Sequence, residues 1–242
     1  MSKDKLIFLD TETTGAGVQD RLCQVAYNFK GEEFEALFKP PLPICIEAMS
    51  VSHITNKMVE GKESFKDSQM YKDLEKLFVD ENILVAHNAG FDVNMLKKEG
   101  LEMPNGIDTL KIIQHLDEEA EIPKYNMQYL RYYFDLDVEN ATAHDALGDI
   151  RVLEKLFDLL FQKMEKKGGD EESIIKEMIE ISSRPVLIKK FNFGKHIELK
   201  VAEVAQSDRG YLEWLLSEKI KVRDQGGEND ENWIYTLENY LK

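Results

Sequence analysis

A layered α/β fold is what the sequence predicts, and three observations carry the prediction. In "LIFLDTETTG", residues 6–9 are four bulky apolar side chains in a row, and "NILVAHN" repeats the pattern at 83–86; both suit strands buried on two faces. Between them, "RLCQVAYNFK" and "EEFEALFKP" read as two further strands turning at "KGEE", which makes a three-strand meander. From residue 69 onward the apolar spacing becomes helical, with Met70, Leu74, Leu77 and Phe78 in one segment and Ile150, Leu153, Phe157, Leu160 and Met164 in the longest. Strands followed by strand and helix in alternation place helices against a sheet.

In chain order, "DSQMYKDLEKLFVD" predicts a helix before the second buried strand, and "FDVNMLKKEG" a helix after it, closed by Gly100. "GIDTLKIIQHL", "YNMQYLRYYF" and "HDALGDIRVLEKLFDLLFQKM" continue with helical character, so the first domain is expected to occupy residues 1–167. "KKGGDEES" reads as a hinge with an acidic cap for the helix "EESIIKEMIEI", making 168–183 a linker with a short helix. Residues 184–242 are expected to form a small α+β module, a strand pair turning at Gly194 and then a helix started by Asp208.

The 242 residues, 43% of them hydrophobic, suffice for one ordinary domain with a real core and a small addition. Neither a charged-then-apolar leader nor a long uncharged apolar stretch is found, so no membrane span and a soluble, cytoplasmic protein are expected. Cys23 and Cys45 are too few for a disulfide framework or a thiolate zinc site and read as free thiols. A net charge of −15 argues against bulk attraction for phosphate or an anionic membrane. Residues 184–223 differ: nine Lys/Arg stand against five acids, a net of +4, which offers a polyanion local counter-charge.

Where the first apolar run stops, Asp10 and Glu12 flank Thr11, so in an extended chain their side chains leave the same face. By itself the doublet reads equally as a strand ending in a solvated turn or as part of a metal site. Asp92 follows the second buried strand in the first turn of a helix, and His144 precedes a helix whose Asp149 lies one turn in. Strand ends and helix starts are where ligand sites gather in layered α/β domains, so four carboxylates can meet. Such a cluster calls for cations, and hard oxygen donors call for Mg²⁺ or Mn²⁺. Two ions about 3.5–4 Å apart would clamp a phosphodiester for in-line attack, with His144 able to take the proton of the attacking water.

"DTETTG", "AHNAGFD" and "HDALGD", in this order, resemble the three exonuclease motifs of the DnaQ-like DEDD superfamily, in its proofreading-type subclass with a histidine base. The resemblance spans about two-thirds of the chain. It implies a ribonuclease-H-like mixed sheet flanked by helices, with Asp10, Glu12, Asp92 and Asp149 as ligands of two Mg²⁺ (or Mn²⁺) ions and His144 as general base. The implied activity is 3′-to-5′ hydrolysis of DNA or RNA 3′ ends with release of nucleoside monophosphates. Substrate contacts implied by the resemblance are the Thr11–Thr13 backbone, with Thr13 preferred, Asn88, and Ile54 near the terminal base. For Ile54 a place in the core is an equal reading, and for Asn88 a helix cap is the alternative.

His87 reads as satisfying a local hydrogen bond, Asp108 as a helix cap, and Asp145 as a solvated helix start. Two other functions stay open: a catalytically minor, exonuclease-fold binding subunit of a polymerase or repair complex, and an oligonucleotide-specific phosphodiesterase. The C-terminal "FNFGKH" and "VAEVAQSDRGYLEWLL" resemble a short domain of unassigned function attached to such exonucleases in bacteria. Its Phe191, Phe193, Tyr211 and Trp214 read first as the core of a tiny domain and second as a base-stacking surface.

Overall fold

The structure, a computed structural model, describes residues 1–138, 146–226 and 230–242. Two compact units are present, Met1–Ile112 with Lys124–Ser182, and Ile113–Pro123 with Ser183–Lys242.

The first unit is built on a mixed sheet. Strands β1 (Leu6–Thr13), β2 (Leu22–Phe29) and β3 (Glu32–Leu37) form the expected antiparallel meander. Its β2–β3 turn places both Lys30 (φ 56°) and Gly31 (φ 83°) in the left-handed region, as a two-residue hairpin that follows the strand twist requires. Helices α1 (Ile46–Ser52), α2 (Asn56–Val59) and α3 (Gln69–Leu77) lead to β4 (Ile83–Ala86), whose four residues are all buried and which runs parallel to β1. Helix α4 (Ala89–Lys98) and β5 (Gly106–Asp108) complete the order β3-β2-β1-β4-β5, with β1 central.

Helices α5 (Thr109–Leu116), α6 (Met127–Tyr133), α7 (Ala146–Glu165) and α8 (Glu171–Ser182) follow. The five apolar residues expected on one stripe of α7, Ile150, Leu153, Phe157, Leu160 and Met164, are all buried. Phe157 meets Phe8 of β1 edge-to-face at 5.4 Å, which fixes α7 against the central strand. Ile7, Leu9, Val25, Leu84 and Met95 fill a core cluster with Leu74 of α3 and Leu96 of α4.

Three local expectations are corrected. The segment read as wholly helical from Gly106 begins as β5, because Gly106–Asp108 pair with Leu84–Ala86 before the helix starts at Thr109. Within the stretch expected to be a linker, α8 buries Ile174, Ile175 and Met178 and packs on β5 and α7 inside the first unit. The strand pair expected at Gly194 is reduced to a single antiparallel bridge, Lys190 with Lys200. There Gly194–His196 form a 3₁₀ turn that is tied down by side chains, since Lys195 and His196 both reach Asp208, at 2.6 and 2.9 Å.

The second unit gathers α9 (Val201–Ser207), α10 (Arg209–Asp224) and α11 (Glu231–Tyr240) around Phe191, Val204, Leu212, Trp233 and Leu237. Asp208 caps α10 as expected, accepting from the Tyr211 amide, and its carboxyl is pulled down to about 2 by Lys195 and His196. Phe191 is buried against Trp233 at 4.8 Å, whereas Trp214 is 55% exposed. The basic island is satisfied within its own unit: Lys190 pairs with Glu198, Lys195 with Asp208, Lys200 with Glu119, Arg209 with Glu213 and Lys219 with Asp230. Counting the whole unit, ten Lys/Arg face fourteen Asp/Glu.

Candidate active site

The central strand sets the site. Along β1 the half-buried positions are Phe8, Asp10 and Glu12, alternating with the buried Leu9, Thr11 and Thr13, so the two acids and Phe8 share one face. That face looks toward α7, where Phe157 meets Phe8. From Phe8 to Glu12 the strand advances about 13 Å. From Phe157 back to Asp149 the helix retreats eight residues, about 12 Å. The two rises match, which brings Asp149 level with Glu12 at the start of α7.

Asp92 arrives from the neighbouring strand. Phe8 pairs with Val85 and β4 ends at Ala86, so the turn into α4 stands level with Asp10. That turn needs Asn88 in the left-handed region (φ 65°), and it is fixed from outside when Asp108 Oδ1 accepts from the amides of both Asn88 and Leu110. Asp92, 4% exposed, accepts a hydrogen bond of 2.7 Å from Thr11 Oγ1. Asp149, 7% exposed, accepts one of 2.6 Å from the Gln128 side-chain amide of α6. Gln128 Oε1 is buried and has no hydrogen-bond partner among the described residues.

The acids crowd Asp10 most. Burial, then the charges of Asp92, Glu12 and Asp149, hold the Asp10 carboxyl well above the usual carboxylate range. Burial and the charge of Asp149 push Glu12 up to about 7. Burial pushes Asp92 up to about 7, against the opposing hydrogen bond from Thr11. Among the described residues no Lys or Arg pairs with Asp10, Glu12 or Asp92, and no three His, Cys, Asp or Glu side chains close into a ready-made metal-holding group. A donor set made only of carboxylates, three of which crowd Asp10 with like charge, is the chemistry a hard divalent cation satisfies.

The remaining expectations meet the structure unevenly. His144 and Asp145 lie outside the described residues. Thr13 is buried and donates to the Gly15 carbonyl at 2.7 Å, and Thr11 is committed to Asp92, so neither hydroxyl faces outward. Asn88 stands exposed at the turn with no side-chain capping bond. Ile54 is 3% exposed in a cluster with Cys23, Ile44 and Val59, the core alternative. His87 has the local partners expected of it, Tyr125 O at 2.7 Å and Thr109 Oγ1 at 2.9 Å, and burial lowers its pKa. Asp108 serves as the cap. Gln128 was not foreseen, because a glutamine on a short amphipathic helix carries no signal of its partner in the sequence.

Comparison with known proteins agrees with this geometry. The family model described as "Exonuclease" matches residues 7–157, and one described as "Exodeoxyribonuclease X-like C-terminal" matches residues 191–219. Exodeoxyribonuclease 10 of Escherichia coli (strain K12) is 31% identical over 221 residues, covering 88% of this chain and 90% of that protein. DNA polymerase III subunit epsilon of Treponema pallidum (strain Nichols) is 32% identical over 173 residues, 66% of this chain and 78% of its own. Among solved structures, exonuclease X in complex with 5′ overhanging duplex DNA aligns with a TM-score of 0.57 at 28% identity, covering 73% of this chain and 99% of that one. The chain therefore belongs to the exonuclease family, hydrolytic enzymes of ribonuclease-H-like fold that depend on divalent metal and act on nucleic acid.

Proposed function

We propose that the chain removes nucleoside monophosphates from DNA 3′ ends with Mg²⁺ or Mn²⁺, using Asp10, Glu12, Asp92 and Asp149 as the metal-holding carboxylates and His144 as the general base. The observation that carries this reading is the convergence of Asp92, Glu12 and Asp149 on Asp10, whose carboxyl their charges and burial raise, with no basic side chain among the described residues paired with Asp10, Glu12 or Asp92. Such a group is a liability to a folded chain unless cations bind it. When bound, the divalent ions supply the Lewis acidity that activates water and stabilises the departing oxygen of the phosphodiester.

The protein's own groups do the rest. Thr11 holds Asp92 and Gln128 holds Asp149, so each carboxylate is oriented by a neighbouring side chain before a cation binds. His144 accepts the proton of the attacking water, a role carried by the resemblance of "HDALGD" to the family motif. Asn88 would touch the terminal nucleotide, a reading supported by its exposure where the turn enters α4 and by the absence of a side-chain capping bond there. A stand-alone DNA exonuclease is favoured over a polymerase subunit because the exodeoxyribonuclease 10 match covers 88% of the chain, against 66% for the epsilon match. A degenerate binding subunit is disfavoured because all five motif residues are present.

Alanine at Asp10, Glu12, Asp92 or Asp149 tests the proposal. Each variant should lose divalent-dependent release of mononucleotides while still binding a 3′ end. Near-native cleavage by any of them would remove that residue from the site.

A further inference from the structure

Helix α6 does more than deliver Gln128. From Lys124 to Phe134 the chain has no Asp or Glu, in a protein with 46 of them, and it carries Lys124, Arg131, Tyr125, Tyr129, Tyr132, Tyr133 and Phe134. Asn126 caps the helix by accepting from the Tyr129 amide, and Leu130 is buried, so one side of α6 is anchored. The last turn of the helix is aromatic and open: Tyr132 is 74% exposed and Tyr133, at the edge of the Leu130 face, 45%. Tyr129 and Tyr133 stack with centroids 6.0 Å apart and planes inclined by 24°, Phe134 meets Tyr133 edge-on at 5.0 Å, and the Arg131 guanidinium lies 5.5 Å from the Tyr132 ring centre.

Gln128 and Tyr132 are four residues apart and share one face of the helix. The first reaches Asp149; the second stands one turn further out, about 6 Å along, in solvent. We propose that Tyr132 and Tyr133 form the stacking surface for the single strand that runs into the site. This rests on the exonuclease reading and extends it to residues that neither the motifs nor the relatives assign.

The physical case is one of composition and continuity. A single-strand platform needs aromatic faces, which accept any base, and an absence of repelling carboxylates along the backbone's path. This stretch supplies both, next to the acids that would cut, whereas the basic island of the second unit is spent on its own acids. A protein partner would also use exposed Tyr and Arg, and the experiment separates the two.

The test compares the native chain with Tyr132→Ala/Tyr133→Ala and with Tyr132→Phe, using a labelled 20-nucleotide DNA single strand and successively shorter ones. The double variant should stay folded but melt a few degrees lower, because Tyr133 gives up its ring contacts with Tyr129 and Phe134 while Tyr132 is mostly in solvent. Its KM on the long strand should rise about tenfold per stacked base lost, with kcat retained, and the effect should shrink toward the dinucleotide. Tyr132→Phe should keep the native KM. Fluorescence anisotropy of the same strand in EDTA repeats the comparison without turnover. A strand that still bound native protein in a tyrosine-dependent way would uphold the surface even if the native chain proved inactive, which would overturn only the catalytic reading. A folded double variant with native KM and native anisotropy would overturn the surface and leave the site intact, pointing instead to a protein partner.

Discussion

Replacing Gln128 with methionine keeps the side-chain volume and removes both its polar atoms. Two opposing terms follow from the structure. The hydrogen bond from the amide to the Asp149 carboxylate is lost, and bonds to charged groups are worth about 1.5–3 kcal/mol. The buried Gln128 Oε1, which has no partner among the described residues, disappears as well, and leaving such an acceptor unpaired costs about 1–3 kcal/mol. The terms nearly cancel, so the metal-free variant should melt within a few degrees of the native chain. Its affinity for divalent cation should not be spared. Asp149 loses the amide that orients it, and loss of such an orienting partner typically weakens metal binding about 10- to 100-fold. Calorimetric titration with Mn²⁺, beside a melt in EDTA, reads both quantities. Native Mn²⁺ affinity in a folded Gln128→Met chain would refute the role of Gln128; a large fall in the EDTA melt would make it a structural residue.

Three further outcomes are expected. His144→Ala should lose about 10²–10⁴-fold in rate while still binding Mn²⁺, measured calorimetrically, because a base can be removed without unseating a cation; loss of binding would make His144 a ligand. Thr11→Val should weaken Mn²⁺ binding at pH 7, because Asp92 without its hydroxyl donor holds its proton more tightly; a native binding isotherm would contradict this. In EDTA the melting temperature should fall as pH rises from 5 to 8. Asp10, Glu12, Asp92 and Glu154 all have folded pKa values raised above their unfolded ones, so the folded state binds more protons in this window and loses that advantage as pH climbs. Among the described residues His87, whose pKa is lowered by burial, opposes them, and Glu12→Gln should flatten the slope.

Much of this was legible in the sequence because it depended on local pattern. The apolar runs at 6–9 and 83–86, the period of α7 and the change to acid at Asp10 all follow from neighbours along the chain. The juxtaposition of Asp10, Glu12 and Asp149 needed only a strand face and a helix opposite it. Three features were not legible, each for a physical reason. The strand β5 is three residues long, too short for a period, and exists because β4 offers it an edge. The hairpin expected at Gly194 gave way to side-chain anchoring on Asp208, a long-range choice that alternation does not encode. Gln128 touches Asp149 across 21 positions of sequence, and no motif links the two. The basic island misled in the same way, since the acids that neutralise it include Glu119 and Asp230, which lie outside it.

The central claim is that these acids hold divalent cations for stepwise hydrolysis from a 3′ end. The most direct measurement is a time course on a 5′-labelled DNA strand resolved to single nucleotides, with Mg²⁺ and then with EDTA. The account predicts a ladder that shortens one nucleotide at a time from the 3′ end, with mononucleotide as the product, and that stops when the cation is chelated. Internal cuts, loss from the 5′ end, or an unchanged ladder in EDTA would contradict it.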